Sequence, residues 1–306
     1  MDAVPNSNGS SADRITNRVF VVGCPRSGTT LLQTMLASHA RVFSPPESHF
    51  FSKSRVGSWR ERLGKRPARK VIEDFLRSID RQDLFKTVPL WRPSFASYAS
   101  IFSSIMDQMC IERGKDTWVE KSPPHLRKMN LIESTIRAPK FIHIIRDGQD
   151  VVASLHEAAL QRPDIWGSAG IKTGIDGCIE RWNDDIELSL AKVGKQRHFV
   201  CLYDDLIDDP RNILSAVCRF LSLDFDEAML DFRHTASEVV GWRETYPWAR
   251  GVFRPLHDTR RQKFSTLFTE AQQRHITSRL RFGGEVGAAI RQSWSFGSDY
   301  SLARAG

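Results

Sequence analysis

This chain has few cysteines, and their spacing pairs none of them. Of its 306 residues five are cysteine, Cys24, Cys110, Cys178, Cys201 and Cys218, an odd number with no C-x-x-C pair. A disulfide framework is not expected in a chain this long, and a reducing, cytoplasmic setting is. No apolar run approaches the roughly 20 residues that a membrane-spanning helix needs. Residues 1–17, rich in Ser and Asn, lack the apolar core of a signal peptide, so neither leader nor anchor is expected. No His/Cys/Asp/Glu cluster has ligand spacing, and no metal is expected. His156-Glu157 opens like a zinc-protease helix, but Leu160 stands where the second histidine belongs. Zinc-finger spacing, an RNA-recognition signature and an aromatic-interleaved basic stripe are all missing, so no nucleic-acid partner is expected. No internal repeat is present.

What is present is an ordinary globular composition with a basic balance. Hydrophobic residues make up 41% and charged residues 26%, enough for a sizeable core. The net charge of +8, from 44 Lys and Arg against 36 Asp and Glu, suits an anionic partner.

The most informative stretch runs from Val19 to Leu32. A β-rich run, Val19-Phe20-Val21-Val22, enters Gly23-Cys24-Pro25-Arg26-Ser27-Gly28-Thr29-Thr30, and a helix-patterned run from Leu31 leaves it. Strand, glycine turn and helix start together make an anion hole: turn N–H groups point inward and the helix N-terminus adds roughly half a positive charge. Arg26 adds a fork of donors, and Thr29 and Thr30 add hydroxyls where a helix takes its cap. The nearest generic motif is the P-loop, G-x-x-x-x-G-K-[ST]. Gly23 and Gly28 keep that spacing and Thr30 the hydroxyl, but Thr29 takes the lysine position. Moving the cation to Arg26 points to a smaller anion held without a metal. A plain glycine turn between strand and helix would explain the spacing but not Pro-Arg-Ser-Gly-Thr-Thr as a whole.

A second segment repeats the geometry. Phe141-Ile142-His143-Ile144-Ile145 is a near-continuous apolar run, as buried parallel strands are. It ends at Arg146-Asp147-Gly148-Gln149-Asp150, and Val151 to Leu155 opens a helix. In open α/β sheets ligands bind outside the carboxyl ends of strands, so Arg146 and the Arg26 loop are expected to face one crevice. The competing reading of Arg146 is an ion pair with Asp147 or Asp150.

Together these two segments resemble the sulfotransferases that use 3′-phosphoadenosine 5′-phosphosulfate (PAPS). The resemblance implies that Arg26, Ser27, Gly28, Thr29 and Thr30 hold the 5′-phosphosulfate, and that Arg146 and Ser154 hold the 3′-phosphate. Leu202-Tyr203-Asp204-Asp205-Leu206 with Asp209-Pro210 is similar to a further family element, which places Tyr203 near the nucleotide. Val252 to Leu256, through Lys263-Phe264, is similar to a basic loop of the tyrosylprotein branch, with Lys263 reaching nucleotide phosphate and Arg254 nearby. Serines found upstream of that loop in the branch are replaced here by Trp248, Ala249 and Arg250. The implied activity is sulfuryl transfer from PAPS, as co-substrate, to an acceptor hydroxyl on a small molecule, carbohydrate, lipid or peptide tyrosine. The Golgi-resident branch carries a membrane anchor, which is not expected here. A P-loop kinase or NTPase and a non-catalytic nucleotide-binding module are the alternatives. Oligomeric state is left open.

Such a reaction needs a base for the acceptor hydroxyl, and two residues compete. Glu47, in Ser44-Pro45-Pro46-Glu47-Ser48-His49, matches the place of the catalytic Glu in tyrosylprotein sulfotransferases and is the favoured choice. His125, in Glu120-Lys121-Ser122-Pro123-Pro124-His125, is displaced from the His of the cytosolic branch, where Pro123 stands. Lys121 is expected to bridge donor and acceptor oxygens, against a surface salt bridge with Glu120.

The alternation of strands at Val19–Gly23, Thr117–Val119, Phe141–Ile145 and His198–Leu202 with helices at Leu31–Ala40, Val151–Ala159 and Asn212–Leu221 predicts a single α/β domain with a parallel, doubly wound sheet. Its expected extent is 18–290, between a disordered tail at 1–17 and a C-terminal tail at 291–306. A helical insert at about 50–113 opens with a cationic run from Lys53 to Lys70, read either as a solvated face or as a lid that favours an anionic acceptor. Gly241 to Trp248 is a second candidate wall, or plain packing. Cys24 is read as a small residue that fits its loop, or as a thiol activated by nearby cations.

Overall fold

The computed structural model describes residues 14–56, 66–89, 94–168, 174–240, 262–282 and 285–295. Its five strands among these are β1 (Asn17–Val22), β2 (Val42–Phe43), β3 (Thr117–Lys121), β4 (Pro139–Ile145) and β5 (His198–Leu202). They form one sheet in the order β2-β3-β1-β4-β5, and every pairing is parallel. Val19 pairs in register with Val119 on one side and Lys140 on the other. The sheet reverses its winding direction at β1, between β3 and β4. That switch point is where a doubly wound fold opens a crevice at the carboxyl edge.

Alternation along β1 explains why both faces are covered. Phe20 and Val22 face one core, with Phe51, Phe102, Trp118 and Phe141. Val19 and Val21 face another, with Leu32, Met35 and Leu36 of the Thr29–Ala37 helix and Leu214 and Val217 of the Pro210–Leu221 helix. A third cluster joins Ile145 and Val200 to the Gly148–Gln161 and Ile175–Leu190 helices. Apolar residues on both faces of the central strand account for its unbroken apolar run.

The insert is helical, as expected, at Phe50–Lys53, Ala68–Ser78 and Phe95–Glu112. Its role differs from a simple lid. Phe50, Phe51, Ile72, Phe75 and Phe102 build the core against one face of the sheet. A buried bidentate pair anchors it: Arg18 of β1 donates to Asp107 at 2.5 and 3.1 Å, and Trp118 Nε1 donates to the same carboxylate at 2.7 Å. In the cationic run Arg66 pairs with Asp74, Arg69 with Glu73 at 2.5 Å and Lys70 with Asp74 at 3.5 Å. Arg69 and Lys70 thus lie on a solvated, ion-paired face of the Ala68–Ser78 helix, with Arg66 just before it; Arg60, Arg62 and Lys65 lie outside the described residues.

Several boundaries move. Asn17 belongs to β1 and Ile15 is buried in a core cluster, so the edge at 17/18 cuts into the domain. The Glu285–Ser295 helix runs past residue 290, and Arg291 holds Asp205 at 2.7 Å. The first helix starts at Thr29 and ends at Ala37, three residues before Ala40. The short edge strand β2 had no apolar run to mark it.

Candidate active site

Every long strand delivers a candidate residue to the same edge. The turn after β1 carries Arg26, β3 ends on Lys121, β4 runs into Arg146 and β5 into Tyr203.

The turn is shaped by backbone. Gly23 lies so close to β4 that a Cβ there would sit 2.6 Å from the Ile144 carbonyl oxygen. Arg26 and Gly28 have φ of 75° and 93°, flanking Ser27, whose N–H donates to the Cys24 carbonyl at 3.1 Å. A non-glycine residue in this left-handed region is uncommon, and such strain gathers at ligand-holding loops. The helix that follows has no side-chain cap at Gly28 and no acidic residue in its first turn, which leaves its N–H groups for an anion. The Ser27 side chain is fully buried and its hydroxyl has no hydrogen-bond partner. A buried orphan of this kind costs about 1–3 kcal/mol, which an anionic oxygen placed in the turn would offset.

Two guanidinium groups converge beside the turn. Arg26 Nε donates to Ser154 Oγ at 3.0 Å. Burial first, and repulsion from Arg146 second, bring the Arg26 guanidinium down from its ordinary value to about 10, with Glu157 acting the other way. Arg146 forms the ion pair with Asp150 that was the competing expectation, at 2.9 Å, and lies 4.4 Å over the Tyr203 ring. The Tyr203 ring in turn packs on Gly28, where a Cβ would overlap it. Arg26, Gly28, Arg146, Ser154 and Tyr203 are therefore one cluster. Ser154 spends its hydrogen bond on Arg26 rather than Arg146. Lys263 pairs with Glu157 at 2.5 Å, one helical turn beyond Ser154. Arg254 and the Gly241 to Trp248 wall lie outside the described residues.

Lys121 connects the turn to the favoured base. Its Nζ donates to Thr30 Oγ1 at 3.1 Å and to Glu47, and its side chain is 4% exposed. The surface salt bridge with Glu120 does not form, because neighbouring strand residues point to opposite faces. Glu120 instead lies fully buried and accepts from Ser48 Oγ and Ser122 Oγ, both at 2.7 Å. Burial pushes the Glu47 carboxyl up, but Lys121 and then His49 outweigh it and hold it far below the usual carboxylate range.

His125 is corrected as a candidate base. It has no exposed surface, its Nδ1 donates to Glu120 at 2.7 Å, and its Nε2 accepts the Phe51 N–H at 3.2 Å. With both nitrogens committed it is part of the scaffold. The activated-thiol reading of Cys24 also fails, since burial and then Asp185 raise its thiol well above the usual value. Sequence reasoning missed His49, whose Nε2 lies 3.1 Å from Glu47 Oε2; its closeness to Glu47 in the sequence was the available signal.

The fold and this edge place two guanidinium groups and an uncapped helix start together at a parallel sheet's switch point. The chain belongs to the Sulfotransferase family, whose model matches residues 18–227. It is 25% identical over 222 residues to protein-tyrosine sulfotransferase 2 of Gallus gallus, covering 69% of this chain and 53% of that protein. It is 23% identical over 226 residues to the protein-tyrosine sulfotransferase of Drosophila melanogaster, covering 69% and 39%. The chain thus spans about half, or less, of the length of these curated relatives. Its fold is similar to that of the sulfotransferase domain from the Synechococcus PCC 7002 olefin synthase, with a TM-score of 0.51 and 21% identity over 92% of this chain and 94% of that one. Among the described residues no helix is long and apolar enough to cross a membrane.

Proposed function

We propose that this protein moves a sulfuryl group from PAPS to an acceptor hydroxyl. The observation that carries the reading is the convergence of Arg26 and Arg146 beside a turn that holds a partnerless buried hydroxyl at Ser27. The residues present fit a bisphosphorylated nucleotide. Ser27, Arg26 and the N–H groups around Gly28, Thr29 and Thr30 would hold its 5′ end, Arg146 and Ser154 its 3′-phosphate, and Tyr203 would lie beside the adenosine. Lys263 would exchange its carboxylate partner for nucleotide phosphate. When bound, PAPS supplies a sulfuryl group activated by its 5′-phosphate.

By analogy with loose phosphoryl transfer, catalysis then consists of positioning and charge stabilisation. Arg26 and the turn N–H groups receive charge on the leaving phosphate. Lys121, spanning Thr30 and Glu47, sets a cation between the leaving and attacking sides. The Glu47 side marks where the acceptor hydroxyl gives up its proton. The acceptor is a hydroxyl of a small molecule, a carbohydrate, a lipid or a peptide tyrosine.

Calorimetry with 3′-phosphoadenosine 5′-phosphate (PAP) and with ATP, with and without Mg²⁺, tests the site. PAP is expected to bind in either condition, and preference for ATP with Mg²⁺ would move the reading to a kinase or NTPase. Transfer of label from ³⁵S-PAPS to an acceptor panel tests the reaction. Glu47→Gln is expected to retain PAP affinity and lose turnover by about 10²–10⁴-fold. Binding without transfer to any acceptor would leave a nucleotide-binding module.

A further inference from the structure

We propose that His49 takes the proton from the acceptor hydroxyl, and that Glu47 is the positioning carboxylate that orients its ring. The inference deepens the sulfuryl-transfer reading and rests on it.

Glu47 uses both carboxylate oxygens. Oε1 accepts from Lys121, and Oε2 lies 3.1 Å from His49 Nε2. Thr30, Lys121, Glu47 and His49 form a chain of contacts from the anion turn outward. Its inner member, Lys121, is 4% exposed, whereas the side chains of Glu47 and His49 are 32% and 26% exposed. An in-line displacement places the attacking oxygen opposite the leaving phosphate, hence away from the turn and toward the wet end of this chain.

A carboxylate clamped by a lysine and a histidine is a poor proton acceptor. Lys121, outweighing the burial that pushes the other way, stabilises its anion and holds its carboxyl far below the range in which a general base works at neutral pH. Imidazole is the side-chain type matched to that task. With Nε2 held 3.1 Å from Glu47 Oε2, the Nε2–H tautomer is the one that faces the carboxylate, and it leaves the Nδ1 lone pair to accept another proton.

The backbone around His49 is set with unusual care. His49 has φ of 53°, in the left-handed region where glycine or asparagine is the inexpensive choice. Its N–H donates to Ser122 Oγ at 3.0 Å, and Ser122 is held by the buried Glu120 that also fixes Ser48 and His125. Among the described residues, Glu47 touches the ring, Lys121 is tied to it through Glu47, and the Glu120–His125 pair is linked to the His49 backbone through Ser122. Strain maintained by a buried network marks a side chain whose placement matters.

The step balances without a redox partner. The acceptor O–H proton passes to His49 Nδ1, giving an imidazolium beside the Glu47 carboxylate. The acceptor oxygen bonds to sulfur as the bond from sulfur to the 5′-phosphate oxygen breaks, and that electron pair leaves on the phosphate beside Arg26.

His49→Gly is the main test, because glycine adopts this φ without strain and keeps the loop. It is expected to bind PAP within about twofold of wild type and to lose about 10²–10⁴-fold in turnover, with partial rescue by added imidazole. His49→Asn, also at ease in this region, repeats the loss without a cavity for rescue. Nitrogen-15 NMR of the nucleotide-free protein gives a readout apart from activity: His49 is expected as the Nε2–H tautomer, and Glu47→Gln is expected to weaken that preference. Turnover of His49→Gly within about threefold of wild type, or an Nδ1–H tautomer, overturns the assignment while PAP binding leaves the sulfuryl-transfer reading standing. Failure of wild type to bind PAP removes that reading and this one together.

Discussion

Replacing Arg26 by methionine is expected to stabilise the nucleotide-free protein while abolishing its response to nucleotide. The Arg26 guanidinium is brought down from its ordinary value to about 10, by burial and by Arg146. A folded-state value below the unfolded one means that the charged form is disfavoured by folding, and the penalty applies in full at pH 7, well below both values. At about 1.4 kcal/mol per unit this amounts to about 3 kcal/mol. The side chain keeps some contact with water, and its hydrogen bond to Ser154 offsets part of the penalty. The net gain on removing the charge is therefore expected at about 1–2 kcal/mol, a rise of a few degrees in Tm for a domain of this size. PAP should show the reverse. Binding to the folded state alone raises Tm by mass action in the wild type. Without Arg26, a lost charge-assisted contact of about 1.5–3 kcal/mol weakens binding by about 10- to 150-fold and removes most of that rise. Thermal unfolding of both proteins, with and without PAP, decides the matter. A nucleotide-free Arg26→Met protein less stable than wild type would refute the claim that two cations are held together here against their repulsion.

Two further outcomes concern the scaffold. Asp107→Ala leaves Arg18 buried without its carboxylate and Trp118 Nε1 without its acceptor, so urea unfolding is expected to show a loss of about 3–5 kcal/mol; a loss below 1 kcal/mol would show that the pair does not anchor the insert. His143 is fully buried, and burial, then His198 and Lys192, hold its imidazole well below the usual value. The unfolded chain therefore takes up a proton below about pH 6.5 that the folded protein refuses, and stability falls with falling pH at up to about 1.4 kcal/mol per unit. Denaturation between pH 5 and 8 is expected to show a shallower slope for His143→Gln, and equal slopes would refute the assignment.

The strand-turn-helix around Arg26 was legible because its determinants are local: an apolar run, two glycines and a hydroxyl pair in fourteen residues. The same holds for Arg146 at the end of β4. The strands β1, β4 and β5 were legible because burial on both faces writes an apolar run into the sequence. β2 was not, being two residues long at a sheet edge. The insert read as a lid or a charged face because its charges stand out in sequence. Its role as core depends on aromatic contacts made over long separations, such as Phe50 with Phe102 at 4.6 Å between ring centroids.

The sequence by itself determined the cationic strand-turn-helix, since it is built from neighbouring residues whose conformations and charges are short-range properties. Only the tertiary structure decided how the residues around it divide the work. Glu120 and Lys121 are adjacent in the chain, yet strand alternation sends the first into a buried network with His125 and the second to Thr30 and Glu47. Which side chain meets which is fixed by packing between elements some 70 to 130 residues apart, and no local pattern carries that information.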